Sequence, residues 1–234
     1  MKKYLIILSL LQCMLFATNT TDIKYSSKVV PKKMSVAEKK RRFFALLVPA
    51  VEDAYKELYL QYLEAKKDIQ HNSNPQKIAY LKRKYKVKTD RELLVALKPH
   101  PVSITLAQAA MESAWGTSRF FREANNIFGV HGLSEKGCVA AGIKKGNKTV
   151  WVRKYKTLED AIKAYYYMLS TVPNYKEFKE LNYAGKSVYD IIQGLKEYSE
   201  RADGYVIELA SMIRFNKLIK YDTKVAKEIN ENLL

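Results

Sequence analysis

The segment Ile104-Thr105-Leu106-Ala107-Gln108-Ala109-Ala110-Met111 is small or apolar almost throughout and runs straight into one carboxylate, Glu112, before Ser113-Ala114-Trp115-Gly116. Pro99 and Pro101 stop whatever precedes it, so a helix is expected from Ser103 to about Trp115-Gly116. An acidic side chain on so apolar a helix has two readings. One is structural: a helix-end group left in solvent, or a buried Glu satisfied by Arg119 or Arg122. The other is chemical. A Glu in the wall of a cleft is desolvated, its pKa rises, and it stays protonated as a general acid.

The flanking sequence is mostly helical in pattern. Ser35-Val36-Ala37-Glu38 has the form of a capping box and opens a helical pattern to about Asp68. Pro49 falls inside it and is expected to kink or split the helix. His71 to Pro75 reads as a turn, and Gln76 to Lys86 as a second, very basic helix. Thr89-Asp90-Arg91-Glu92 is another capping box, for a helix through Leu97. Between Asn126 and Trp151 the texture changes. Gly129, Gly132, Gly137, Gly142 and Gly146 separate short β-compatible pieces, which predicts a small hairpin or irregular lobe. Thr157 then caps a helix through Ser170, Ser187 caps Val188 to Lys196, and a last helix spans Gly204 to Ile219. The class is α+β and mostly helical.

The 234 residues carry 41 Lys+Arg against 24 Asp+Glu, a net charge of +17. Such a charge favours anionic partners: nucleic acid, anionic lipid or an acidic wall polymer. The N-terminus chooses among them. Met1-Lys2-Lys3 is basic, Tyr4 to Phe16 has no charge, and Ala17 precedes a polar stretch. That is the layout of a secretory signal peptide over 1–17, with a retained N-terminal anchor as the alternative. The apolar run is too short for an ordinary transmembrane helix. Export makes nucleic acid a poor partner and an anionic envelope surface a better one; periplasm or cell envelope is the expected location. Cleavage removes Cys13 and leaves only Cys138, so an intramolecular disulfide is not expected. No Cys or His cluster has metal-ligand spacing, and no metal or cofactor is expected. The polar residues 18–34 read as a flexible linker.

Ala107-Gln108-Ala109-Ala110-Met111-Glu112-Ser113-Ala114-Trp115-Gly116, followed by Asn126-Ile127-Phe128-Gly129, resembles the bacterial glucosaminidase family that cleaves peptidoglycan, glycoside hydrolase family 73. Ser134 to Cys138, Val172-Pro173-Asn174-Tyr175 and Tyr198-Ser199-Glu200-Arg201 with Gly204-Tyr205 resemble its Bax-type branch. The resemblance implies a lysozyme-like fold, a helical lobe facing a small β-lobe across a cleft. It divides the chain into an N-terminal helical extension at 35–98, a catalytic domain at 99–220 and a C-terminal tail at 221–234. It implies hydrolysis of the β-1,4 bond at N-acetylglucosamine in the glycan strand, with Glu112 protonating the leaving oxygen. A lytic transglycosylase, or a wall-binding protein without turnover, remains the alternative.

Such chemistry needs a second group to stabilise the transition state or activate water. The family often uses a β-lobe Glu, and Glu135 is the sole carboxylate between Asn126 and Trp151. The substrate's own N-acetyl group, or an acid elsewhere in the chain, are the other options. The resemblance also points to Tyr165 as a catalytic Tyr on the helix after the β-lobe; of Tyr165, Tyr166 and Tyr167, about 100° apart on a helix, one can face the cleft. Gln108, Asn126, Phe128 and Tyr198 are its implied substrate-binding residues. The basic runs Lys39 to Arg42 and Lys82 to Lys84 are read either as contacts for an anionic envelope surface or as solvated helix faces.

Overall fold

A computed structural model describes residues 25–146 and 148–233. The signal peptide reading, Cys13 and the first part of the 18–34 linker lie outside the described residues.

The first helix, α1 (Val36–Gln70), starts where its capping box puts it: Glu38 N–H donates to the Ser35 hydroxyl, and Ser35 N–H returns a bond to the Glu38 carboxylate at 2.7 Å. Of the kink or split expected at Pro49, the split does not occur. Phe43 and Leu47 before the proline and Val51 and Ala54 after it are all fully buried in one core, which holds both halves in a single helix. Two short helices, α2 (Pro75–Tyr85) and α3 (Asp90–Leu97), pack on the far half of α1 around Tyr62, Ala65, Ile78, Leu81 and Leu93.

Helix α4 (Val102–Glu112) is the hub. Every residue from Val102 to Ala110 is buried, as a helix with no polar stripe must be. Its N-cap is Pro101, which offers no side-chain bond. Asp222 supplies one from the last helix, α10 (Ile219–Leu233), by accepting the Ser103 N–H at 2.8 Å. This helix stands where a tail was expected over 221–234: Val225 and Ile229 are buried, Val225 within the main core. Nor is 98 a packing boundary, because the first half of α1 and α4 share that core.

After α4 come a short α5 (Arg119–Ala124) and the β-lobe, a three-stranded antiparallel sheet in the order β1-β3-β2. Its strands are β1 (His131–Gly132), β2 (Cys138–Lys145) and β3 (Lys148–Arg153), with His131 opposite Val152 and Val139 opposite the same residue. The chain then returns through α6 (Leu158–Thr171), α7 (Lys176–Tyr183), α8 (Val188–Ile191) with a 3-10 stretch to Tyr198, and α9 (Asp203–Phe215). Helices α5, α7 and α10 were not foreseen from the sequence. The architecture is mostly helical with one small sheet, as expected. Among the described residues no helix is long and apolar enough to cross a membrane.

Candidate active site

Glu112 is the last residue of α4, and the chain reverses directly after it. The Ser113 hydroxyl donates to the Ala109 carbonyl at 2.6 Å and accepts the Gly116 N–H at 2.8 Å. Ala114, Trp115 and Gly116 all have positive φ, at 50°, 62° and 70°. Two non-glycine residues in this region are costly, and packing holds them there. The Trp115 ring meets Phe43 and Phe44 edge-on at 5.3 and 5.8 Å, with the Lys40 ammonium 4.9 Å above it. The Gly116 carbonyl accepts from the buried Arg42 guanidinium at 2.9 Å. A Cβ on Gly116 would sit 3.3 Å from Phe121. The Glu-Ser-x-Trp-Gly spacing is thus a device for ending α4 abruptly with its last side chain facing outward.

Glu112 faces a cleft of ≈ 600 Å³. The wall is made by Phe128, Gly129 and Val130 from the turn before β1, His131 on β1, Met168 on α6, and the phenols of Tyr175 and Tyr198. Burial raises the carboxyl's pKa above its ordinary value; a hydrogen bond from Tyr205 and the charge of Arg201 oppose the rise, and Glu208 adds to it. The residue as a whole counts as exposed because its open side is the cleft, while its carboxyl is crowded by protein. The Tyr205 hydroxyl donates to Glu112 Oε1 at 3.4 Å and accepts from Gln108 Nε2 at 2.7 Å. Gln108 Oε1 in turn accepts from the Tyr165 hydroxyl. Tyr165, Gln108, Tyr205 and Glu112 form one hydrogen-bonded row from the core to the cleft. A second hollow of ≈ 640 Å³, by Leu58, Leu97, Pro99 and Tyr167, has its carboxylates Glu57 and Glu64 matched by Lys163 and Lys77. Among the described residues no group of three or more His, Cys, Asp or Glu could hold a metal.

The structure brings Glu112, Phe128 and Tyr198 together at the cleft. It puts other expected site residues elsewhere. Gln108 is fully buried with both ends of its amide occupied, so it positions Tyr205 and has no group left for a sugar. Asn126 is buried too. Its amide donates to the Val130 and Arg153 carbonyls, each at 2.8 Å, and its oxygen accepts the Val130 N–H at 2.9 Å, stitching the turn to β3. Tyr165 has no exposure; it stacks under Phe128 at 3.9 Å, one layer beneath the cleft. Tyr166 is buried against His100, and the Tyr167 hydroxyl reaches the Lys84 carbonyl, so none of the three tyrosines lines the cleft. Glu135 is exposed in the β1–β2 loop and is not part of the cleft wall. The run Lys39 to Arg42 is not one free patch either, because Arg42 is buried and Lys40 covers Trp115. His131, Met168 and Tyr175 are cleft residues that pattern reading missed. The one signal for His131 was its place two residues after the Asn-x-Phe-Gly motif.

A family model for Glucosaminidase, described as mannosyl-glycoprotein endo-beta-N-acetylglucosaminidase, matches residues 91–218. The chain belongs to this glucosaminidase family. The matched stretch holds the whole cleft wall, from Glu112 to Tyr198. Protein bax of Escherichia coli is 31% identical over 123 residues, 50% of this chain and 43% of that protein. Exo-glucosaminidase LytG of Bacillus subtilis is 32% identical over 141 residues, 56% of this chain and 48% of that protein. The chain thus spans less than half the length of these curated relatives. In fold it is similar to the catalytic domain of the autolysin Auto from Listeria monocytogenes, with a TM-score of 0.51, 16% identity, and coverage of 82% of this chain and 92% of that one.

Proposed function

We propose that the chain is an exported peptidoglycan hydrolase of the periplasm or cell envelope. It cuts the β-1,4 glycosidic bond at N-acetylglucosamine within the glycan strand, and Glu112 is its general acid. The observation that carries this reading is the position of Glu112: a carboxyl at an abrupt helix end, open on one side to a cleft of ≈ 600 Å³ and made more basic by burial. A protonated carboxyl beside a bound sugar can give its proton to the leaving oxygen as the C–O bond breaks. The aromatic faces of Phe128, Tyr175 and Tyr198 on the same wall suit the apolar faces of sugar rings. Peptidoglycan as the substrate is supported by membership of the glucosaminidase family together with the resemblance of the Glu-Ser-x-Trp-Gly and Asn-x-Phe-Gly motifs to the bacterial glucosaminidases that cleave it.

The test is mass spectrometry of purified peptidoglycan digested by the protein, with borohydride reduction, beside Glu112→Gln. Reducible N-acetylglucosamine ends from wild type alone are expected. Anhydro-muramic ends would instead make it a lytic transglycosylase. Glycan binding without products would make it a wall-binding protein. Fragment lengths separate the endo cut proposed here from the exo action that the name of the Bacillus subtilis relative states.

A further inference from the structure

Direct attack by water on the anomeric carbon needs a group to take a proton while Glu112 gives one. Phe128, Val130 and Met168 on the cleft wall carry no group that exchanges a proton. Burial pushes the phenols of Tyr175 and Tyr198 above their ordinary range, so near neutral pH they donate hydrogen bonds and do not take up a proton. Glu135, the acid expected from the sequence, is off the wall. One proton acceptor besides Glu112 remains among these residues: the imidazole of His131.

We propose that His131 is the general base, activating the attacking water across the sugar from Glu112. The inference rests on the hydrolase reading above. A water O–H bond breaks and its proton goes to a ring nitrogen of His131. The water oxygen bonds the anomeric carbon on the face opposite the leaving group. The glycosidic C–O bond breaks, and the leaving oxygen takes the Glu112 proton. The step ends with imidazolium and carboxylate, which return to their starting forms by losing and gaining one proton through solvent. Attack from the opposite face inverts the anomeric centre, so a β bond gives an α product.

The backbone holds this imidazole well. His131 pairs with Val152 on β3, and directly opposed residues project to one face of a sheet. Val152 is 2% exposed, so that face is the buried one, while His131 at its rim stays open to the cleft. Asn126 makes two bonds to Val130, the residue before His131, and a third to Arg153, the residue after Val152. The group thus sits on a strand clamped at its entry, not on a loop tip, as a catalytic side chain requires. Asn126 acts as a positioning residue for it.

The test compares the full-length wild-type chain with His131→Gln, His131→Ala and Glu135→Gln on purified peptidoglycan, with and without sodium azide. Thermal melts serve as the folding check. Both His131 variants are expected to melt like wild type and to lose about a hundredfold or more in kcat, the usual share of a general base, with KM little changed. Azide needs no deprotonation, so it should accelerate His131→Ala and appear in the product as an α-glycosyl azide. Glu135→Gln should keep the wild-type rate, and wild type should release the α anomer. Full activity in His131→Gln refutes the proposal, and so does a β anomer from wild type. A slow His131→Ala that azide neither accelerates nor enters also refutes it, because a merely structural histidine behaves that way. In each case an active wild type and a dead Glu112→Gln would leave the hydrolase reading standing; an inactive wild type would remove both.

Discussion

Tyr205→Phe separates the two things the tyrosine does. Its hydroxyl donates to Glu112 Oε1, which stabilises the charged form of the acid and holds its pKa down against burial. Removing the hydroxyl lets that pKa rise further. In the proposed role of general acid Glu112 works protonated, so activity falls as pH rises through its pKa, and the variant's alkaline limb must move to higher pH. A well-formed bond to a charged group contributes about 1.5–3 kcal/mol. At 3.4 Å, to a carboxyl open to the cleft on one side, the contact falls below that range. We take roughly 0.7 kcal/mol for it, which is enough to move the limb measurably upward. The second effect is on stability. Gln108 Nε2, fully buried, loses its 2.7 Å acceptor, and an orphaned buried donor costs about 1–3 kcal/mol. The assays are the pH profile of kcat/KM on peptidoglycan fragments and urea unfolding at fixed pH. An alkaline limb that stays put or moves down would refute the reasoning, whatever the stability does.

Gly194→Ala should cost at least about 2 kcal/mol in urea unfolding, since its Cβ would fall 2.3 Å from the Phe178 backbone nitrogen, where neither chain can give way. Arg42 is 1% exposed and holds the carbonyls of Gly116, Ser26 and Val29, so Arg42→Ala should lose about 3 kcal/mol and expose residues 26–29 to limited proteolysis while wild type resists. His100 is fully buried as the neutral ring, its pKa pushed down to about 3. The unfolded chain binds that proton at higher pH than the fold does, so stability is lost as pH falls below about 6.5. At pH 5 the loss is about 2 kcal/mol, and a pH-independent melt over pH 7 to 5 would contradict the burial argument.

What the sequence disclosed divides by the distance over which each choice is made. The capping boxes at Ser35 and Thr89 and the cap at Thr157 are decided within four residues, and each marks a helix start in the structure. Pro49 does not split α1 because its local cost is offset by burial on both sides of it. Helix α10 was hidden for a similar reason: its worth lies in covering α4 and capping it through Asp222, 119 residues from Ser103. Residues 25–34, read as free linker, include Ser26 and Val29, whose carbonyls are tied to Arg42.

The site follows the same rule with one twist. Glu112 stood out because its role is written locally, in an apolar helix and a tight reversal. Gln108 and Asn126 were placed against the sugar because their motif positions are local while their partners are not. Gln108 is satisfied by Tyr205 and Tyr165, 97 and 57 residues away, and Asn126 by Arg153, 27 residues away. A polar residue inside a catalytic motif is thus as readily a support for the reacting groups as one of them. The row from Tyr165 to Glu112 governs the acid from below, and the Asn126 clamp sets the rim that carries His131. The two motifs are therefore two halves of one device: the first ends a helix so that an acid faces the cleft, and the second locks the strand that faces it. Altering the clamp should disturb the imidazole side of the cleft and leave the proton affinity of Glu112 unchanged, whereas altering the row should do the reverse.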